Sequence, residues 1–147
     1  MIVHDKGLNT WSLLHAEDAA EAMFEIMQNR KIYNDIINIV SSKKITWNNI
    51  AKKIFLTFKI KAKIKYIESN IIFEECRYFG GSVSFHKKFD ECYNISLLKK
   101  IIPKWKEKIT LDKGLKKTLK WFRFSKKRQI INKKNLLLLE HLYKLDS

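Results

Sequence analysis

Residues 10–27, TWSLLHAEDAAEAMFEIM, run a short apolar segment straight into an alanine-rich amphipathic pattern. No other stretch constrains the fold as much. Ser12–His15 reads as a strand, and a helix follows from about Glu17 to Gln28 with Ala19, Ala20, Met23 and Met27 on one face. A strand that feeds a helix directly is an interior element, covered by neighbours on its faces. Only nine residues precede it here, too few to be expected to bury it.

Downstream the same alternation of strand and helix signals continues. Asp35–Val40 (DIINIV) is a near-continuous apolar run of strand length. Thr46 is a natural N-cap for a helix that places Trp47, Ile50, Ala51, Ile54, Phe55 and Phe58 on one broad apolar face. Ala62–Ile67 alternates with period two and reads as a half-buried strand, and Ser69 can cap a short helix to about Arg77. Tyr78–Tyr93 is irregular, with Gly80-Gly81 as its hinge. Asn94 or Ser96 can cap a helix that ends before Pro103. Thr110 caps another with Leu111, Leu115, Leu119 and Phe122 inward, and a last helix carries Leu136–Leu139. The layout is α/β. The basic segment Ser125–Arg128 is the expected flexible joint, dividing the chain into residues 1–124 and 125–147.

Composition narrows the class. Hydrophobic residues make up 46% of the 147 positions, with a single proline and four glycines, which argues for a packed chain and against disorder. No stretch approaches the roughly 18 uncharged apolar residues of a membrane span. The two cysteines, Cys76 and Cys92, form no CxxC pair, and the expected location is a reducing cytoplasm. Charge is lopsided: residues 1–40 hold three Lys/Arg against six Asp/Glu, whereas 41–147 hold 27 against nine. Only Arg30, Arg77, Arg123 and Arg128 are arginines, and groove or phosphate recognition usually recruits more of that planar fork. Nucleic acid is therefore expected only as nonspecific charge binding, and no membrane partner is expected.

The residues offer little unaided catalytic chemistry. Gly7, Gly80, Gly81 and Gly114 are too scattered for a phosphate-cradling loop. His4, His15, His86 and His141 show no i,i+4 pair, so no metal site is expected. His15, at the end of the apolar run, reads as a hydrogen-bonded structural histidine. Asp18, in the first turn of the helix, reads as a structural carboxylate satisfying free N–H groups.

Taken in order, six segments resemble the C-terminal half of the NAD-dependent epimerase/dehydratase family, the extended short-chain dehydrogenase/reductases. Ile2–Gly7 resembles its "v-v-x-G-d-G" strand and turn, and Trp11–Ala20 its "W-x-x-x-H-v-x-D-x-A" segment. Ile37–Ser42 is similar to a late Rossmann strand and loop, and Thr46–Ile50 to a "T-W-N-x-I" helix start. Tyr93–Pro103 and Thr110–Trp121 resemble "f-D-x-s-K…P" and "s-l-e-x-G-l-x-x-t-v-x-W". The resemblance runs from about Ile2 to Phe122.

That resemblance implies the substrate-side C-terminal portion of an extended Rossmann-type fold, with the N-terminal dinucleotide-binding half absent. The family's Tyr-x-x-x-Lys pair has no counterpart, because no tyrosine here is followed four residues on by lysine. No catalytic residue and no cofactor-binding residue is assigned, and NAD or NADP is expected only in the full-length family. The implied ligand is a small molecule, a sugar or related hydroxyl substrate, and a separately supplied N-terminal half is a candidate partner. Trp11 stands where nucleotide-sugar members often place a diphosphate-binding arginine, so it is expected to face substrate. Arg77 and Lys87 lie in the segment that closes over substrate and are expected to supply cations in its place, with Lys88 a further candidate. A basic polyanion-binding module without catalysis, or a nonfunctional remnant, are the competing expectations.

Overall fold

A computed structural model describes residues 1–29, 35–76, 82–91 and 93–145. Its strands are β1 (Ile2–His4), β2 (Thr10–Trp11), β3 (Ile45–Thr46) and β4 (Lys65–Ile67). Its helices are α1 (Ala16–Met27), α2 (Trp47–Phe58), α3 (Ser69–Glu75), α4 (Ser96–Ile101), α5 (Leu111–Arg123) and α6 (Lys133–Lys144). A π-helical turn spans Val83–Lys87, and a 3₁₀ turn spans Lys126–Gln129. The chain is thus mixed helix and strand, as the alternating signals imply.

β1 runs parallel to β4, and β2 runs antiparallel to β3. The turn after β1 ties the first pair to two helices. Asp5 takes a positive φ of 50°, which aspartate tolerates better than most residues. Its carboxylate accepts from the Ser69 backbone N–H at 2.9 Å and from the Ser69 hydroxyl. Ser69 is therefore not the N-cap expected of it; it is the first residue of α3, and the cap comes from Asp5 across the sheet. Gly7 follows at φ +62°, where a Cβ would lie 2.3 Å from Asn48 Oδ1 and 2.7 Å from Val3 Cγ1. Asn48 in turn donates its backbone N–H to Gly7 O and its amide to Lys6 O, fixing the start of α2 against the turn.

The strand expected over Ser12–His15 is displaced to Thr10–Trp11. His15 instead caps α1, its Nδ1 accepting from the Glu17 N–H at 3.2 Å. Gly114 of α5 packs against it so tightly that a Cβ would come within 3.0 Å of His15 Cδ2. The α1 face also differs from expectation. Asp18, only 2% exposed, accepts from the backbone N–H groups of Lys108 (3.2 Å) and Ile109 (2.9 Å). That demand draws the stripe Asp18, Ala22 and Ile26 inward, at i, i+4 and i+8. Met23 and Met27 therefore face outward, as does Phe24, and Met27 is 81% exposed.

Asp35–Val40 forms no strand ladder among the described residues. A strand needs a partner for its backbone, and both described sheet pairs lie elsewhere; Ile37 and Ile39 instead pack with Ala22, Leu98 and Ile102. Glu107 pins the following loop by accepting from Ser41 Oγ and from the Ser42 N–H. A second core cluster joins Ile67, Ile72 and Leu142, so α6 closes over the parallel pair. His141 Nε2, 2.6 Å from Glu75 Oε2, links α6 to α3. The 125–128 joint leads into the 3₁₀ turn, with Arg128 donating its N–H to Ser125 O. Phe122, expected inward on α5, is exposed; Leu111, Gly114 and Leu115 face the interior there.

Candidate functional site

The antiparallel pair aligns Trp11 with Ile45, one residue before the Thr46 cap. Thr46 Oγ1 accepts from the Asn49 N–H at 3.3 Å and starts α2 at Trp47, so the two indoles meet at a centroid distance of 5.2 Å. His4, at the end of β1, presents its ring edge-on to Trp47 at 5.4 Å. The result is an aromatic platform assembled from three separate elements.

Lys87 covers it. Its Nζ lies 5.9 Å from the Trp11 ring centroid and 5.7 Å from that of Trp47, within reach of a cation–π attraction to both. The chain just beyond Lys87 is latched to β2. Asn9 donates its amide to Lys88 O, and Glu91 donates its N–H to Thr10 O. Thr10 donates its N–H (2.6 Å) and its hydroxyl (3.0 Å) to Asp90 Oδ1. Those two bonds, the backbone one foremost, hold the Asp90 carboxyl below the usual carboxylate range.

The platform carries unused hydrogen-bonding capacity. Nε1 of Trp11, Nε1 of Trp47 and Nε2 of His4 are buried and have no hydrogen-bond partner among the described residues. Each such atom costs about 1–3 kcal/mol when left dry, so three in one cluster call for a ligand or water to meet them. Burial, aided by the nearby Lys87, holds the His4 imidazole below its ordinary value despite the opposing pull of Asp5, whose Oδ2 lies 3.4 Å from Nδ1. A cavity of ≈ 330 Å³ is lined mainly by apolar side chains, with His4, Trp47, Lys87 and Asn135 among its lining. That size and character suit a small molecule with an apolar body and one anionic or hydrogen-bonding group.

Of the residues singled out from sequence, Trp11 and Lys87 converge here. Arg77 lies outside the described residues, as do Gly80 and Gly81. Lys88 turns away, its Nζ over the Phe89 ring at 5.2 Å. His15 and Asp18 serve the α1 junction and do not touch the platform. Sequence reasoning missed His4 as a site residue and read Trp47 only as part of an apolar face. Its one accessible signal was position: Trp47 directly follows the Thr46 cap as the first residue of its helix.

The space above Gly7 is filled by Asn48 and Val3, leaving no cradle for a pyrophosphate. The first turns of α1, α2 and α5 are capped by His15, Thr46 and Thr110, and that of α3 by Asp5.

No protein-family model matches the chain. It is 34% identical, over 122 residues, to the trifunctional UDP-glucose 4,6-dehydratase/UDP-4-keto-6-deoxy-D-glucose 3,5-epimerase/UDP-4-keto-L-rhamnose-reductase RHM1 of Arabidopsis thaliana. It is 31% identical to the trifunctional protein RHM3 of the same name and plant. Each match covers 82% of this chain but only 16% of the relative's length. Among solved structures, the dTDP-glucose 4,6-dehydratase of Bacillus anthracis, in complex with NAD, matches at TM-score 0.63 with 19% identity. That match covers 86% of this chain and 35% of the dehydratase. A protein described as DdhaC matches at TM-score 0.59 with 23% identity, over 89% of this chain and 34% of its own.

Proposed function

We propose, from the premise that over its matched portion this chain is related to the NAD-dependent epimerase/dehydratase family, that it forms the substrate-side part of such an enzyme. The substrate class is a nucleotide sugar or a related hydroxyl compound. Hydride transfer and its proton-transfer tyrosine come from a dinucleotide-binding part, whether in the same polypeptide or another. The chain by itself binds without turning over.

One observation carries the reading: the Lys87 ammonium sits above two indoles whose N–H groups remain unpartnered among the described residues. The C–H face of a sugar or a base packs on an indole, and a phosphate oxygen meets the ammonium. The dinucleotide-binding part has a natural seat on the outward face of α1, where Met23, Phe24 and Met27 leave an apolar stripe uncovered.

Titrating UDP-glucose and dTDP-glucose against tryptophan fluorescence tests the site. The expected result is a saturable change, weakened by about tenfold in Lys87→Gln through loss of one charge-assisted bond. No saturable response to either compound at millimolar concentration overturns the proposal, and so does turnover of either by the chain alone with NAD.

A further inference from the structure

We propose that the surface formed by the end of α5, the Lys126–Gln129 turn and Ile130–Ile131 docks flat on an anionic lipid surface. Between Lys113 and Leu139 the sequence holds ten lysines and arginines and no aspartate or glutamate. The same stretch carries apolar side chains that the fold leaves in water. Phe124 is 83% exposed, and Trp121, Ile130 and Ile131 are exposed as well.

The two features are interleaved. One hollow beside α5 is lined by Lys117, Lys120, Trp121, Phe124 and Arg128, with Glu17 at its rim in an ion pair with Lys117. A second hollow is lined by Lys116, Leu119, Lys120, Arg123 and Phe124. Phe124 lines both hollows, alongside Lys120 in each, and the Arg128 guanidinium lies 5.8 Å from its ring centroid. The turn is folded back on the helix end: Arg128 stacks on Trp121 at 4.3 Å and donates to Trp121 O at 2.8 Å, and Gln129 donates to Arg123 O. The patch is held in shape before any partner arrives, which lowers the ordering cost of binding.

Charge decides which partner fits. A second copy would set this cluster of cations against its like, so a symmetric self-contact is opposed. Single-stranded nucleic acid would match the charge but gains its affinity by stacking bases on open aromatic faces. Here one face of Trp121 is taken by Arg128, and Ile130 and Ile131 have no π face to offer. An anionic bilayer meets both demands: aliphatic and aromatic side chains enter the headgroup boundary while lysines reach the phosphates. This is a surface contact, since no described helix is long and apolar enough to cross a membrane.

Sedimentation of the full chain with phosphatidylcholine vesicles, with and without about a third phosphatidylserine, tests it near 0.1 M salt. Binding is expected only to the anionic vesicles. The exposed-charge variant Lys120→Gln, Lys126→Gln, Lys127→Gln loses about fivefold per cation, on the order of a hundredfold together. The apolar variant Phe124→Ser, Ile130→Ser, Ile131→Ser loses tenfold or more, by roughly 0.8 kcal/mol for each methylene withdrawn from lipid. Circular dichroism checks the fold of each variant, and either one suffices. Equal binding to neutral vesicles, no binding to anionic ones, or an apolar variant that binds unchanged overturns the proposal. So does a single-stranded oligonucleotide that binds more tightly than the vesicles and is indifferent to the apolar variant. None of these outcomes depends on the nucleotide-sugar site.

Discussion

The α1 junction and the segment after α5 use polar and apolar groups in opposite ways. At the junction, Asp18 is buried and spends both carboxylate oxygens on backbone N–H groups some ninety residues away. After α5, cations and large apolar side chains stand exposed. A buried carboxylate is tolerated only when its hydrogen bonds are met inside, so the junction is specified by the fold itself. An exposed basic and apolar surface contributes little to folding, so its residue choice points outward.

Stability measurements can break or sharpen that contrast. Asp18→Ala should cost the most, about 3 kcal/mol, because it strands the Lys108 and Ile109 N–H groups. In a domain of this size that is about a 10 °C fall in melting temperature, and a shift under about 2 °C would show the contact to be dispensable. Gly7→Ala should follow at about 2 kcal/mol, since it strains a positive φ and drives a methyl into the Asn48 amide. Chemical denaturation reads it directly. His4 should give a smaller, pH-dependent term. Its folded pKa is lowered from 6.5, so the unfolded chain takes up the proton first as pH falls. Stability from this group is complete above about 6.5 and declines below it, toward the folded value. His4→Phe should flatten the melting profile between pH 7 and 5; an unchanged slope would place the titration elsewhere. Last, Phe124→Ser and Trp121→Ser should each stay within about 0.5 kcal/mol of the parent, and a larger loss would mean that this surface is packed rather than open.

Much of the local structure is legible in the residues. Thr46 and Thr110 cap the helices that their positions imply, and α2 buries Ile50 and Ala51 on the predicted face. These signals lie within one or two turns of each other. The features that stay hidden depend on distant partners. Apolarity alone places Met23 and Met27 inward, yet Asp18 sets the phase of α1 through groups on the far side of the chain. DIINIV has strand composition, but composition cannot supply a neighbouring strand. Trp11 and Lys87 stand out in the sequence only one by one. Their meeting rests on a two-residue strand pair too short to leave any periodicity, and on a latch to Asp90 that no motif announces.

The π turn at Val83–Lys87 gives the candidate site an unusual dependence on spacing. A π turn holds one residue more than an α-helical turn would, and that extra residue rotates the side chains after it by about 100°. Lys87 owes its place over the indoles to the number of residues before it as much as to being lysine. Relatives that kept the lysine but lost one position in this turn would aim it elsewhere, so an insertion or deletion here could change what the protein binds while every named residue stayed the same.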